Sequence, residues 1–170
     1  AYPATAYIKG FLKSKEISAQ QCDLSIELFT SVFTSEFLKA IFQEAEALGS
    51  FKFQNVRKNK SQYIAKVDTV IGFLQRQDVE TAHRILVDGF LPTGHRLKKV
   101  NKSIQWKEGD IGVIDKAKHY GTLFVEEIGD FIQANVDEFF SFTKYAEQIA
   151  TSASSFDQLY EFLQYEPTLL

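Results

Sequence analysis

The 170-residue chain contains no methionine, a single cysteine, three prolines and one tryptophan, and each scarcity removes a class of protein. With Cys22 alone, no intrachain disulfide can form, and the chain cannot assemble the thiolate set that zinc or an iron–sulfur cluster needs. No apolar stretch approaches the roughly 20 residues of a membrane-spanning helix, and the N-terminus lacks a signal peptide's basic-then-apolar layout. Excess positive charge is missing too. Nineteen Lys and Arg against 22 Asp and Glu leave a formal net charge of −3, which would repel a polyanion. The expectation is a cytoplasmic protein with no nucleic-acid or membrane partner. Because the chain begins at Ala1 and has no Met, it is also expected to be a fragment of a longer one.

What is abundant is apolar and aromatic: 45% of residues are hydrophobic, with 16 Phe and seven Tyr. A chain of this length can bury a real core, and its charged fraction of 24% argues against disorder. One domain over 1–170 is expected.

Helical periodicity dominates. Pro3 suits a first helical position, and Ala4, Tyr7, Ile8, Phe11 and Leu12 repeat at helical spacing to about Lys15. Ile17 to Leu24 lacks that period and is assigned at most a short strand, followed by a short helix carrying Ile26, Leu28, Phe29 and Phe33. Thr34 and Ser35 can cap a helix with the stripe Phe37, Leu38, Ile41, Phe42, Ala45 and Leu48, which Gly49 ends. After a polar, basic stretch from 50 to 60, Ile64, Val67, Ile71 and Leu74 mark another helix. Asp78 caps a shorter one that ends near Asp88 and Gly89.

From Leu91 to Gly112 there is Pro92, three glycines, several lysines and no period, so a long irregular segment is expected. The longest helix then runs from about Ile114 to Val136, with Ala117, Gly121, Phe124, Val125, Ile128, Phe131 and Ile132 on one face. Two short helices follow, the last with Ser155 and Gln158 at capping-box spacing. The class is mainly α: an irregular bundle of about seven helices with at most one short strand.

Few residues suggest chemistry. Asp115, His119, Glu126 and Asp130 share a stripe of the longest helix, and Asp115, His119 and Asp130 could ligate a metal. The stripe lies opposite the apolar face, where solvation or pairing with Lys116 and Lys118 is the preferred reading. His83 and His95 have no acid or nucleophile at a recognisable spacing and are taken as packing or surface residues. Basic stretches at Lys52 to Lys60 and Arg96 to Lys102 lie near Phe51, Phe53, Tyr63 and Trp106, but no glycine-rich phosphate loop accompanies them. Cys22 is taken as a buried structural thiol. No catalytic or metal residue is assigned, and cofactor-binding residues are left open.

The segment from Tyr2 to Leu12, Tyr-Pro-Ala-Thr-Ala-Tyr-Ile-Lys-Gly-Phe-Leu, with Asp23-Leu24-Ser25-Ile26-Glu27-Leu28, resembles the start of bacterial cobalamin-binding-type radical SAM proteins. The likeness extends along the chain through Ala82-His83-Arg84, Phe90-Leu91-Pro92, Asp115-Lys116-Ala117, Gly129-Asp130-Phe131-Ile132 and Phe142-Thr143-Lys144-Tyr145-Ala146-Glu147. It implies a truncated α/β start in which a strand ends at an Asp-Leu pair like Asp23-Leu24. It also implies a full-length enzyme that holds a 4Fe-4S cluster through three closely spaced cysteines and cleaves S-adenosylmethionine, often with cobalamin bound nearby.

Two departures bear on this. The three-cysteine motif is absent, and so is the Asp-x-His-x-x-Gly signature of cobalamin's lower ligand, since Thr81, Thr93 and Ala117 stand two residues before the three histidines. The resemblance therefore implies a non-catalytic N-terminal region whose partner is the remainder of its own chain. A helical protein-interaction module without enzymatic activity is the alternative.

Overall fold

A computed structural model describes residues 3–49, 52–103, 112–138 and 140. Among them are eight α-helices and no strand: α1 Pro3–Ser14, α2 Leu24–Val32, α3 Ser35–Ala47, α4 Gln54–Lys58, α5 Lys60–Arg76, α6 Val79–Ile85, α7 His95–Ser103 and α8 Val113–Asn135. The mainly helical class is as expected. The strand allowed at Ile17 to Leu24 is not formed: residues 17–23 make no ladder, and Leu24 opens a helix instead of closing a strand. By its internal contacts the chain divides into two compact units, Ala1–Val32 and Phe33–Leu170.

In the first unit, α1 ends at a left-handed Glu16 (φ 60°), where the Ile17 amide returns to the Leu12 carbonyl at 3.0 Å. The chain then doubles back, and the Gln21 side-chain amide donates to Thr5 Oγ1 at 2.6 Å. Asp23 Oδ1 accepts from the Ile26 amide at 3.1 Å and caps α2. This short-range cap explains why the Asp-Leu pair starts a helix.

The second unit is built around α8, against which α4, α5, α6 and α7 all pack. Its seam is Ala117, Gly121, Phe124, Val125, Ile128, Phe131 and Ile132, all buried, as the three-and-four spacing predicts. Gly121 lets α5 approach closely, because a Cβ there would meet Val70 and Leu74 side chains at 3.3 Å. The Tyr63 ring of α5 stacks on Phe124 with centroids 5.2 Å apart, and Phe42 of α3 meets Phe131 at 4.8 Å. At the far end of α8, buried Asn135 accepts from the Lys52 amide at 3.1 Å and donates to the Phe131 carbonyl.

The caps read from sequence are formed. Thr34 has extended backbone, its hydroxyl accepts from the Phe37 amide at 3.2 Å, and Gly49 follows the helix at φ 66°. Asp78 accepts from the Thr81 amide at 2.8 Å, and the Thr81 hydroxyl, together with that amide, holds its carboxyl below the usual range. Replacing Thr34 with Ala is expected to cost about 1 kcal/mol in urea unfolding, whereas Thr34→Ser should be near neutral. Equal losses in the two variants would remove the cap as the cause.

Two elements differ from expectation. The polar stretch 50–60 contains α4, entered through a left-handed Phe53 (φ 54°) and anchored by buried Val56. The expected long irregular segment from Leu91 to Gly112 contains α7. That helix has only Leu97 and Val100 as apolar residues, too few for a visible period, and its hold on the fold comes from residues about 30 positions away. The two short helices expected after Val136, and Trp106, lie outside the described residues.

Candidate functional site

Among the described residues, a dense polar cluster forms where the N-terminus of α7 meets α8. Arg96 reaches across as a fork: Nε donates to Asp130 Oδ2 at 2.6 Å, Nη2 to Asp130 Oδ1 at 2.9 Å and Nη1 to Glu126 Oε2 at 2.7 Å. A planar guanidinium suits this bidentate geometry. The Asp130 hydrogen bonds and the charges of Asp130 and Glu126 raise the proton affinity of Arg96 further, so it stays ionised.

Beneath that fork lies Glu127, only 1% exposed although it is a carboxylate. Its Oε1 accepts from the His95 backbone N–H, so it caps α7 from a different helix. A Cβ added to Gly94 would fall on the Glu127 carboxyl, so glycine is the residue that lets this backbone close over the acid. Burial pushes the Glu127 carboxyl above the usual range, opposed by the His95 amide, the Tyr63 hydroxyl and the Arg96 amide.

Tyr63 forms the floor. Its phenol is fully buried, and burial together with the neighbouring Glu127 charge pushes its ionisation far up, so it is neutral at any ordinary pH. The two side chains are close enough to shift one another's proton affinity, yet neither Tyr63 Oη nor Glu127 Oε2 has a well-directed hydrogen bond among the described residues. Around the rim, Asn55 of α4 donates to the Thr93 carbonyl at 3.0 Å, and the Lys66 ammonium sits 4.1 Å from the Phe90 ring centroid.

The acidic stripe is thus divided in two. Asp115 is exposed and meets Lys118 at 3.5 Å, in keeping with a solvated face paired to its neighbours. Glu126 and Asp130 are instead about 30% exposed and engaged by Arg96. Among the described residues, no group of three or more His, Cys, Asp or Glu side chains is arranged to hold a metal. His83 is exposed on α6, and His95 contributes its backbone, with its side chain exposed. Glu127 and Tyr63 form the buried part of the cluster, and no sequence motif singles them out for it. The one available signal is an acid inside the apolar arc Phe124, Val125, Ile128, Phe131.

Cys22 is exposed, not buried, which corrects the expectation of a structural thiol. Cys22 lines an open groove of about 270 Å³ together with Ile8, Leu12 and Ala19. On α1 itself Tyr7, Ile8 and Phe11 are 79%, 58% and 62% exposed.

The cluster at α7 can hold a helix in place. Its cation is committed to two carboxylates, its acid is covered by backbone, and its phenol lies under the acid, so no nucleophile and base stand together over open space. No helix among the described residues is long and apolar enough to cross a membrane. No protein-family model, curated protein or solved structure matches the chain.

Proposed function

We propose that this chain is a non-catalytic helical region of a cytoplasmic radical SAM enzyme, serving as a packing body for the part that carries the chemistry. The observation that carries this reading is the face of α1. Tyr7, Ile8 and Phe11 sit at spacings of one and four residues, on one side of a helix, and all three are exposed. Apolar faces of this kind are covered in a working protein. The resemblance supplies the partner, since the segment Tyr2 to Leu12 that carries this face is also part of what resembles the start of such enzymes.

The chemistry would belong elsewhere in the same enzyme. Three closely spaced cysteines would hold the 4Fe-4S cluster that cleaves S-adenosylmethionine, with cobalamin as a further cofactor in the group. The 170 residues cannot supply the three cluster cysteines, because Cys22 is their only thiol, and no histidine in them follows the lower-ligand pattern. Their contribution is to fold, to present the α1 face and to shield the α7 cluster from water.

Anaerobic reconstitution separates this reading from its rivals. The 170-residue chain treated with iron and sulfide is expected to gain no cluster absorbance and to leave S-adenosylmethionine intact, while the product of the natural reading frame gains a cluster. A stoichiometric cluster on the 170 residues, or a reading frame without a three-cysteine motif, would overturn it. The second outcome would favour a helical interaction module with no enzymatic activity, which the same exposed face also suits.

A further inference from the structure

We infer that the exposed face of α1 and the groove beside it are a docking site for one acidic amphipathic helix, supplied by the part of the enzyme that carries the chemistry. The inference rests on the reading above, in which that part covers α1, and adds the chemistry of what covers it.

Every residue of the site lies in the first unit. One wall of the groove is α1 itself, through Ile8 and Leu12, and the other is the returning segment with Ala19 and Cys22. The left-handed Glu16 turns the chain back, and the bond from the Gln21 side chain to Thr5 Oγ1 at 2.6 Å ties that wall to the helix. Tyr7, Ile8 and Phe11 extend the apolar surface along α1 and are exposed. An apolar helix face beside a concave slot is the form that receives the apolar side of a second helix, with one of its side chains in the slot. A bilayer surface is flat and fluid and has no use for the slot. Helix α1 has 12 residues, so it offers about 18 Å, or three turns, to a partner.

Charge selects the partner. Residues 1–22 carry Lys9, Lys13 and Lys15 against the single acid Glu16, in a chain whose formal net charge is −3. Lys9 lines the groove, and the Lys15 ammonium lies 5.8 Å from the Phe11 ring centroid, so cations border the apolar surface at the slot and at its aromatic end. All three lysines are exposed, and among the described residues none of them is in an ion pair. A second copy of α1 laid on this face would set lysine against lysine. A helix whose apolar side is flanked by Asp or Glu meets the rim with opposite charge, which fixes its register and discriminates against other helices.

Alkylation of Cys22 by a maleimide reports on the groove, because the thiol is exposed and lines it. The chain is titrated with a synthetic peptide of about 15 residues that has leucine at three-and-four spacing flanked by glutamate, and with a twin flanked by lysine. At about ten times its Kd the glutamate-flanked peptide is expected to slow alkylation about tenfold, as the free fraction falls, and the lysine-flanked twin is expected to leave the rate unchanged. Lys9→Gln, Lys13→Gln and Lys15→Gln combined should weaken the first peptide about tenfold, with far-ultraviolet circular dichroism and the rate without peptide unchanged. Should that variant lose helix, raising salt from about 0.05 M to about 0.5 M on the wild type decides, and an unmoved Kd counts against the inference. Equal slowing by both peptides, slowing by neither, or slowing by phosphatidylserine vesicles without the glutamate-flanked peptide would each overturn it. The product of the natural reading frame, with Cys22 followed by peptide mass mapping, is expected to react more slowly than the 170 residues. If the peptide protects Cys22 while that product leaves it as reactive, the acidic-helix chemistry is upheld and its supply by the same enzyme is overturned.

Discussion

Replacing Phe124 with Ala is expected to cost the second unit about 3–5 kcal/mol, well beyond the loss expected at either helix cap. The ring is fully buried midway along α8, stacked on Tyr63 at 5.2 Å and an interplanar angle of 17°. Removing it opens a void between two helices that cannot collapse freely, because Gly121 already brings their backbones close. For a domain whose total stability is commonly about 5–15 kcal/mol, this leaves a marginal fold. Phe124→Leu retains most of the volume and should lose less than about 1.5 kcal/mol. Urea unfolding followed by far-ultraviolet circular dichroism measures both, and a loss below about 1 kcal/mol in Phe124→Ala would mean that this seam is not where the unit's stability resides.

Gly94→Ala should be nearly as damaging for a different reason. The new methyl would occupy the place of the Glu127 carboxyl, so either the acid rotates away from the His95 amide or the α7 entry moves outward. Overpacking of this kind costs about 1–3 kcal/mol, and losing the hydrogen bond from the His95 amide adds roughly 0.5–1.5 kcal/mol. The loss should concentrate in α7, with weaker protection of its amides from hydrogen exchange and a smaller change in α3 and α5. Gly89→Ala is the comparison: its Cβ would meet nothing within 4 Å, but its φ of 79° makes the substitution strained. The two glycines thus separate backbone strain from collision with the acid. If Gly94→Ala leaves α7 protection unchanged, the Gly94 backbone does not close over Glu127 in solution.

The contrast between α8 and α7 shows what can be read from residues alone. In α8 the positions 117, 121, 124, 125, 128, 131 and 132 declare both helix and buried face, because a long apolar stripe at three-and-four spacing has one economical solution. The caps at Thr34 and Asp78 are legible for a related reason, since their partners lie three residues away. Helix α7 has no such stripe. It is supported by Glu126, Glu127 and Asp130, and no local pattern records that these acids lie beneath Arg96 and His95.

The acidic stripe illustrates the same limit within one helix. Asp115, Glu126 and Asp130 are equivalent by periodicity, yet Asp115 meets solvent while the others take part in the α7 cluster. Glu127 is concealed further, by its place among apolar neighbours. Cys22 departs from expectation because residue type speaks to average burial, whereas its exposure depends on how much chain packs around residues 17–23.

The helical class, the caps and the α8 core face are therefore written into the order of the residues, since they depend on partners within one or two turns or on the average composition of a face. The helix at residues 95–103, the carboxylate sealed beneath it and the exposure of Cys22 arise only from assembly of the helices. Those outcomes rest on groups far apart in the chain, whose electrostatics and burial exist only after the helices have met.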